Sequence, residues 1–182
     1  MELILTFDDT VIHFINDNMR NGLLNKIMEF VSLLGNGGIL WVGFAFAFIL
    51  MGGEKRKIGL LMIASMMVEA SVCNIVIKPA VGRIRPFDVH DMEIIINKPL
   101  DYSFPSGHTA AAYAAAYSLY LSDKKKGGKM LYAAALMGFS RIYLLVHYPT
   151  DVVCGALLGI LSALSVNKLY LTNKSKKTSN RS

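Results

Sequence analysis

Charge is scarce along most of this chain. Residues 30–53 contain no Asp, Glu, Lys or Arg, nor do residues 102–122, 130–140 and 152–167, and between Lys57 and Lys78 the one charge is Glu69. A soluble domain of 182 residues needs charge on every turn that meets water, and 53% hydrophobic residues with these gaps exclude that class. Cysteine is nearly absent too. The two present, Cys73 and Cys154, both fall in apolar stretches without ligand-like spacing. Buried thiols of that kind pack as small hydrophobes, so no disulfide and no metal site is expected. Also missing is a basic start followed by a compact apolar core and a small-residue cleavage site, so the N-terminus does not read as a signal peptide.

The uncharged stretches match the roughly 20 apolar residues that cross a bilayer core. They predict an all-α fold: one domain, a polytopic membrane helical bundle with about five spans near 36–53, 57–78, 104–122, 129–146 and 151–171. The catalytic bundle is then 36–171, and 172–182 a basic tail. In residues 1–35, charges such as Asp8, Asp9, Asp17 and Lys26 are interleaved with Val11, Ile12, Ile15 and Leu24. That pattern suits amphipathic helices lying in the membrane interface, with a sixth span as the alternative.

The basic residues outnumber the acidic, 19 to 13, giving a net charge of +6. They gather as Lys55–Lys57, as Lys124–Lys126 with Lys129, and along 168–181. Clusters at alternate loop ends follow the positive-inside rule rather than a nucleic-acid footprint. No nucleic-acid partner is expected, and no obligate protein partner is evident. The same rule puts the other loop ends outside the cytoplasm and the C-terminus inside, as for a multi-pass plasma-membrane protein.

Those other ends carry the chemistry. The first holds Lys78, Arg83, Arg85 and Pro86. Lys78 offers a point charge and Arg85 a planar fork, both good phosphate partners, while Arg83 reads as an interfacial anchor. The second, Pro105-Ser106-Gly107-His108, opens a span. Gly107 frees backbone N–H groups at a helix N-terminus to face an anion, Ser106 adds a hydroxyl, and His108 follows within the first turn. The third is Ser140-Arg141-x5-His147-x3-Asp151. Arg141 falls below the outer surface, where an unpaired guanidinium is costly, so an anionic partner is expected. Asp151 is either a plain helix N-terminal carboxylate or the acceptor that fixes the tautomer of His147 and frees its other nitrogen for attack. Three cations, two imidazoles and a helix N-terminus suit a tetrahedral dianion.

In order, Lys-x6-Arg-Pro, Pro-Ser-Gly-His and Ser-Arg-x5-His-x3-Asp resemble the signature of the type 2 phosphatidic acid phosphatase superfamily, without a substitution. The resemblance covers about residues 57–171. It implies a membrane lipid phosphatase needing no cofactor or divalent metal. His147 would attack phosphorus to form a phosphohistidine, Asp151 orient it, and His108 protonate the leaving oxygen and then activate water. Lys78, Arg85, Arg141, Ser106 and the Gly107 amide would hold the phosphoryl oxygens. Small members of this kind resemble undecaprenyl-diphosphate phosphatases. Phosphatidylglycerophosphate or phosphatidic acid is the alternative substrate, and a lipid transporter or a non-catalytic scaffold the alternative of another class.

Four further residues and one loop carry expectations. Glu69, mid-span, is either functional or a protonated or hydrogen-bonded residue facing the bundle. Asn74, one turn before Lys78, should support that lysine. Gly155 and Gly159 should permit close helix packing within the bundle. The loop 87–103 should border the entrance to the site.

Overall fold

A computed structural model describes residues 2–179, with side chains to residue 176. The helices run α1 (Glu2–Asn18), α2 (Gly22–Leu34), α3 (Ile39–Leu50), α4 (Gly53–Ser71), α5 (Lys78–Val81), α6 (Pro86–Val89), α7 (Gly107–Ser122), α8 (Lys124–Tyr143) and α9 (Pro149–Ser179). Side-chain caps mark two starts: Asn21 accepts from the Leu24 amide at 3.1 Å, and Asp123 from the Lys126 amide at 3.0 Å. Each satisfies a donor that a helix N-terminus otherwise leaves open.

Helix α7 is the axis, packed against α4, α8 and α9. Its small residues make this possible: Ala110, Ala112, Ala114, Ala115 and Ala116 are all fully buried, so neighbouring backbones come close. Gly155 and Gly159 of α9 pack within the bundle, as expected. A Cβ at Gly159 would lie 2.3 Å from the Ala110 carbonyl oxygen, and one at Gly155 2.6 Å from that of Ser106. A buried Ser118–Ser65 hydrogen bond of 2.8 Å ties α7 to α4. Outward-facing residues are large and apolar: Phe46, Met67, Ile75, Leu157 and Leu161 are each more than half exposed, as a hydrocarbon solvent allows.

This is the all-helical membrane bundle the sequence implies. By length and composition alone, two segments among the described residues can cross a bilayer, Gly53–Val89 and Pro149–Lys176. Helix α3, 12 residues long, covers about 18 Å at 1.5 Å per residue and does not span alone. It reaches across only with α2, as a pair bent by 49° at residues 35–38. Gly37 and Gly38 make the bend with φ of 59° and 70°, values that cost a side-chain-bearing residue. The expected division at residue 35 falls at this bend. The expected tail from 172 continues α9 to Ser179, and residues 180–182 lie outside the described residues. Helix α1 is bound to the bundle through Asp8, Ile12 and Ile15, all buried on one face at helical spacing.

Candidate active site

The α4 helix does not run smoothly to its motif. Val72–Ile77 form a π-helical turn, which rotates the following residues relative to an α-helix before Lys78 begins α5. Such turns occur disproportionately at functional sites. Gly82 ends α5 in the left-handed region, and Arg85 leads into α6. Lys78 and Arg85 are both buried. On the opposite wall the α8–α9 connection, Leu144 to Tyr148, is wholly buried. Leu145 takes φ of 60° there, a conformation costing about 1–3 kcal/mol for such a residue.

Lys78, Arg85, Gly107, His108, Arg141 and His147 line one cavity of about 850 Å3. Both histidines therefore face a common compartment. Arg85 donates from Nη1 to the Val146 carbonyl at 2.6 Å and lies 3.3 Å from His147 Nε2. A guanidinium can only donate, so Nε2 accepts and the ring proton sits on Nδ1. Nδ1 is turned to Asp151 Oδ2 at 3.6 Å. That is longer than the hydrogen bond expected between them, a kind of contact that tightens when substrate binds. His108 Nε2 is 2.9 Å from Asn36 Oδ1, in the bend between α2 and α3.

Arg141, only 3% exposed, donates to the Ser32 hydroxyl of α2, and its Nε has no hydrogen-bond partner. It is the buried guanidinium short of partners that the sequence anticipated. Ser106 does not line the cavity. Its hydroxyl accepts from Thr109 at 2.9 Å, and its N–H donates to the Asp151 carbonyl at 3.0 Å.

Several residues of the site escaped sequence reasoning. The foremost is Asp101, in the loop that does border the cavity: its carboxylate pairs with both Lys78 and Arg85, the latter at 2.7 Å. Burial alone would raise its pKa, but the hydrogen bonds and charges of these two cations win and hold it at about 2. Conversely, His147 is pushed down to about 3, by burial first and by the charges of Arg85 and Arg141 in addition, with Asp151 opposing. Its imidazole is neutral at physiological pH, as a nucleophile must be.

Two readings need correction. Arg83 is no interfacial anchor; it bridges Asp8 and Asp151 at 2.7 and 2.6 Å and lies over the Tyr148 ring. Asn74 does not support Lys78, because its amide donates to the Ala70 carbonyl one turn back. Glu69 is buried and lines the cavity, and its Oε2 has no hydrogen-bond partner. The signal available for Asp8 was its place on the Ile12–Ile15 stripe, where a lone carboxylate demands a cation.

Comparison with known proteins identifies the family. The PAP2 superfamily model matches residues 57–175, which contain every motif residue above. An undecaprenyl-diphosphatase of Sulfolobus acidocaldarius is 36% identical over 146 residues, covering 79% of this chain and 69% of that one. Among solved structures, Aquifex aeolicus LpxE superposes with a TM-score of 0.74 at 31% identity, over 87% of this chain and 93% of its own. A transmembrane PAP2-type phosphatidylglycerolphosphate phosphatase from Bacillus subtilis superposes with a TM-score of 0.77 at 26% identity, over 94% and 88%. By its motifs, its matched residues and its fold, the chain belongs to the PAP2 superfamily, as a membrane lipid phosphatase.

Proposed function

We propose that this phosphatase hydrolyses undecaprenyl diphosphate to undecaprenyl phosphate at the extracytoplasmic face of the plasma membrane, through a phosphohistidine on His147. The observation that carries the chemistry is the shared cavity, with two imidazoles and three buried cations around one space. Part of its lining is apolar, with Leu33, Val42, Met66 and Ala111, which suits a phosphate whose ester chain continues into lipid. The similarity to an undecaprenyl-diphosphatase favours the isoprenoid substrate. Basic clusters at the α3–α4 and α7–α8 turns and along the end of α9 favour a cytoplasmic C-terminus.

In the first step the His147 Nε2 lone pair forms the bond to the terminal phosphorus. The bond from phosphorus to the bridging oxygen breaks, and His108 protonates that departing oxygen. Asp151 accepts from Nδ1–H as the ring becomes positive. In the second step His108 takes a proton from water, whose oxygen attacks phosphorus and releases inorganic phosphate and neutral His147. Lys78, Arg85, Arg141 and the Gly107 amide hold the non-bridging oxygens; the family resemblance adds Ser106, whose hydroxyl accepts from Thr109. The family resemblance implies no divalent metal.

The test is phosphate release by protein in liposomes, with chelator, from isoprenoid diphosphates and glycerophospholipid phosphates. The reading expects undecaprenyl diphosphate to be turned over with the highest kcat/KM. A preference for phosphatidylglycerophosphate would transfer the assignment to the second reading, which the Bacillus subtilis structure favours.

Asp101 gives a separate expectation. A phosphate dianion that uses both Lys78 and Arg85 must displace a carboxylate already paired with them. Asp101→Asn removes that competitor, so orthovanadate should inhibit several-fold more tightly. Measured inhibition constants at equal ionic strength check this; unchanged or weaker inhibition would show that Asp101 shapes the site rather than competing for it.

A further inference from the structure

We infer that Asp8, on α1 and outside the stretch matched to the family, is a positioning residue that acts on His147 through Arg83 and Asp151. The inference rests on His147 being the nucleophile. Asp8 has no solvent exposure, whereas Glu2 and Asp17 of the same helix are exposed. Its Oδ2 pairs with Arg83 Nη2 at 2.7 Å, while Arg83 Nη1 reaches Asp151 Oδ1 at 2.6 Å. Both ends of the guanidinium are thus committed, one to each carboxylate. Thr150 closes the group: its N–H donates to Asp8 Oδ1 at 3.0 Å, its hydroxyl donates to Asp8 Oδ2, and the same hydroxyl accepts from Arg83 at 2.8 Å. Asp8 therefore also fixes the first turn of α9, where Asp151 stands.

The consequence for the reaction is one of charge. Asp151 Oδ1 is occupied by Arg83, and Oδ2 accepts from Ser103 and the Tyr148 amide while facing His147 Nδ1. Arg83 alone would neutralise Asp151 and weaken its hold on a ring that turns positive when Nε2 binds phosphorus. With Asp8 present, two carboxylates share one guanidinium, and one net negative charge remains beside the imidazole. In a buried site that difference is poorly screened. The N-terminal helix is on this view part of the phosphorylation machinery.

The experiment compares wild type, Asp8→Asn, Asp8→Asn with Arg83→Gln, and Asp9→Asn in the purified full chain. Phosphoenzyme formation is followed by rapid quench, with vanadate inhibition and the melting temperature measured in parallel. Asp8→Asn should slow phosphoenzyme formation roughly 10–100-fold, the range expected for losing one to two pKa units of stabilisation, and leave vanadate inhibition within about twofold. The double variant, in which Asp151 regains its net charge, should recover at least about threefold over Asp8→Asn, a rescue that lost packing alone would not give. Asp9→Asn, whose carboxylate meets His90 instead, should behave as wild type. A wild-type rate in Asp8→Asn, or a well-folded double variant no faster than the single, overturns the inference. If Asp8→Asn does not fold, the double variant is compared with wild type instead: both leave one net negative charge beside the imidazole, so a well-folded double variant slowed by more than about 30-fold overturns it equally. Separately, if His147→Ala still forms phosphoenzyme, the nucleophile assignment has failed; if it does not and Asp8→Asn is normal, only this inference has.

Discussion

Replacing His147 with alanine is expected to remove the phosphoenzyme and lower turnover by at least about 10³-fold, the scale on which losing a covalent nucleophile acts. The geometry singles out this imidazole. The single lone pair of its Nε2, which accepts from Arg85, is the one available to phosphorus; its Nδ1 proton faces the buried Asp151. No other side chain combines a neutral basic nitrogen with an orienting carboxylate in that cavity among the described residues. Acid-labile, alkali-stable labelling from radiolabelled substrate reports the intermediate, and near-normal turnover in the variant would end the assignment. The same substitution has a pH signature. Burial holds the folded pKa at about 3, against about 6.5 for a free histidine, so the unfolded chain binds the extra proton between those values. Stability therefore falls on acidification from about pH 6.5 toward 3, by up to about 1.4 kcal/mol per pH unit from this group. His147→Ala should lose that part of the acid sensitivity, read as a flatter melting temperature between pH 7 and 4 in detergent. The Asp101 contribution, also lost as pH falls, belongs to the separate window between about 4 and 2.

Arg85→Lys is expected to cost about 10²–10³ in kcat/KM, the range for removing a pre-aligned donor from a developing anion. Arg85 works in four directions at once. Nε donates to the Asp101 carbonyl at 2.8 Å, Nη2 to the Asp101 carboxylate, and Nη1 to Val146 and toward His147. An ammonium keeps the charge but cannot reproduce the planar fork, so the conservative exchange is not conservative here. It also leaves the Val146 carbonyl without its buried donor, a loss of about 1–3 kcal/mol in stability. Steady-state kinetics, vanadate inhibition and melting temperature separate the two effects. Kinetics within threefold of wild type would mean that charge alone suffices, leaving the fork without a role.

The partners of the site residues were the hardest part to read from sequence. Asp101 lies 23 residues from Lys78, Asn36 72 from His108, Ser32 109 from Arg141, and Asp8 142 from Thr150. Nothing periodic links such pairs. Arg83 shows the limit most clearly: from its place at a span end it reads as an anchor, and only the arrival of α1 turns it into a bridge. The π-helical turn before Lys78 is similar, since Val72–Ile77 carry no local mark that one extra residue will be accommodated there.

From sequence alone came the helical membrane class, the order of the long helices, and the eight motif residues proposed for phosphate chemistry. Uncharged stretches of that length can satisfy their backbone only as helices in lipid, and the motif spacings put each reactive group at a helix end. Tertiary structure alone decided which carboxylates face those groups, how α2 and α3 share one bent element, and that α1 joins the site through Asp8. The reason is physical: hydrophobic length and periodicity are properties of neighbouring residues. The partner of a buried charge is fixed by whichever distant helix packs there and can supply the missing counter-charge.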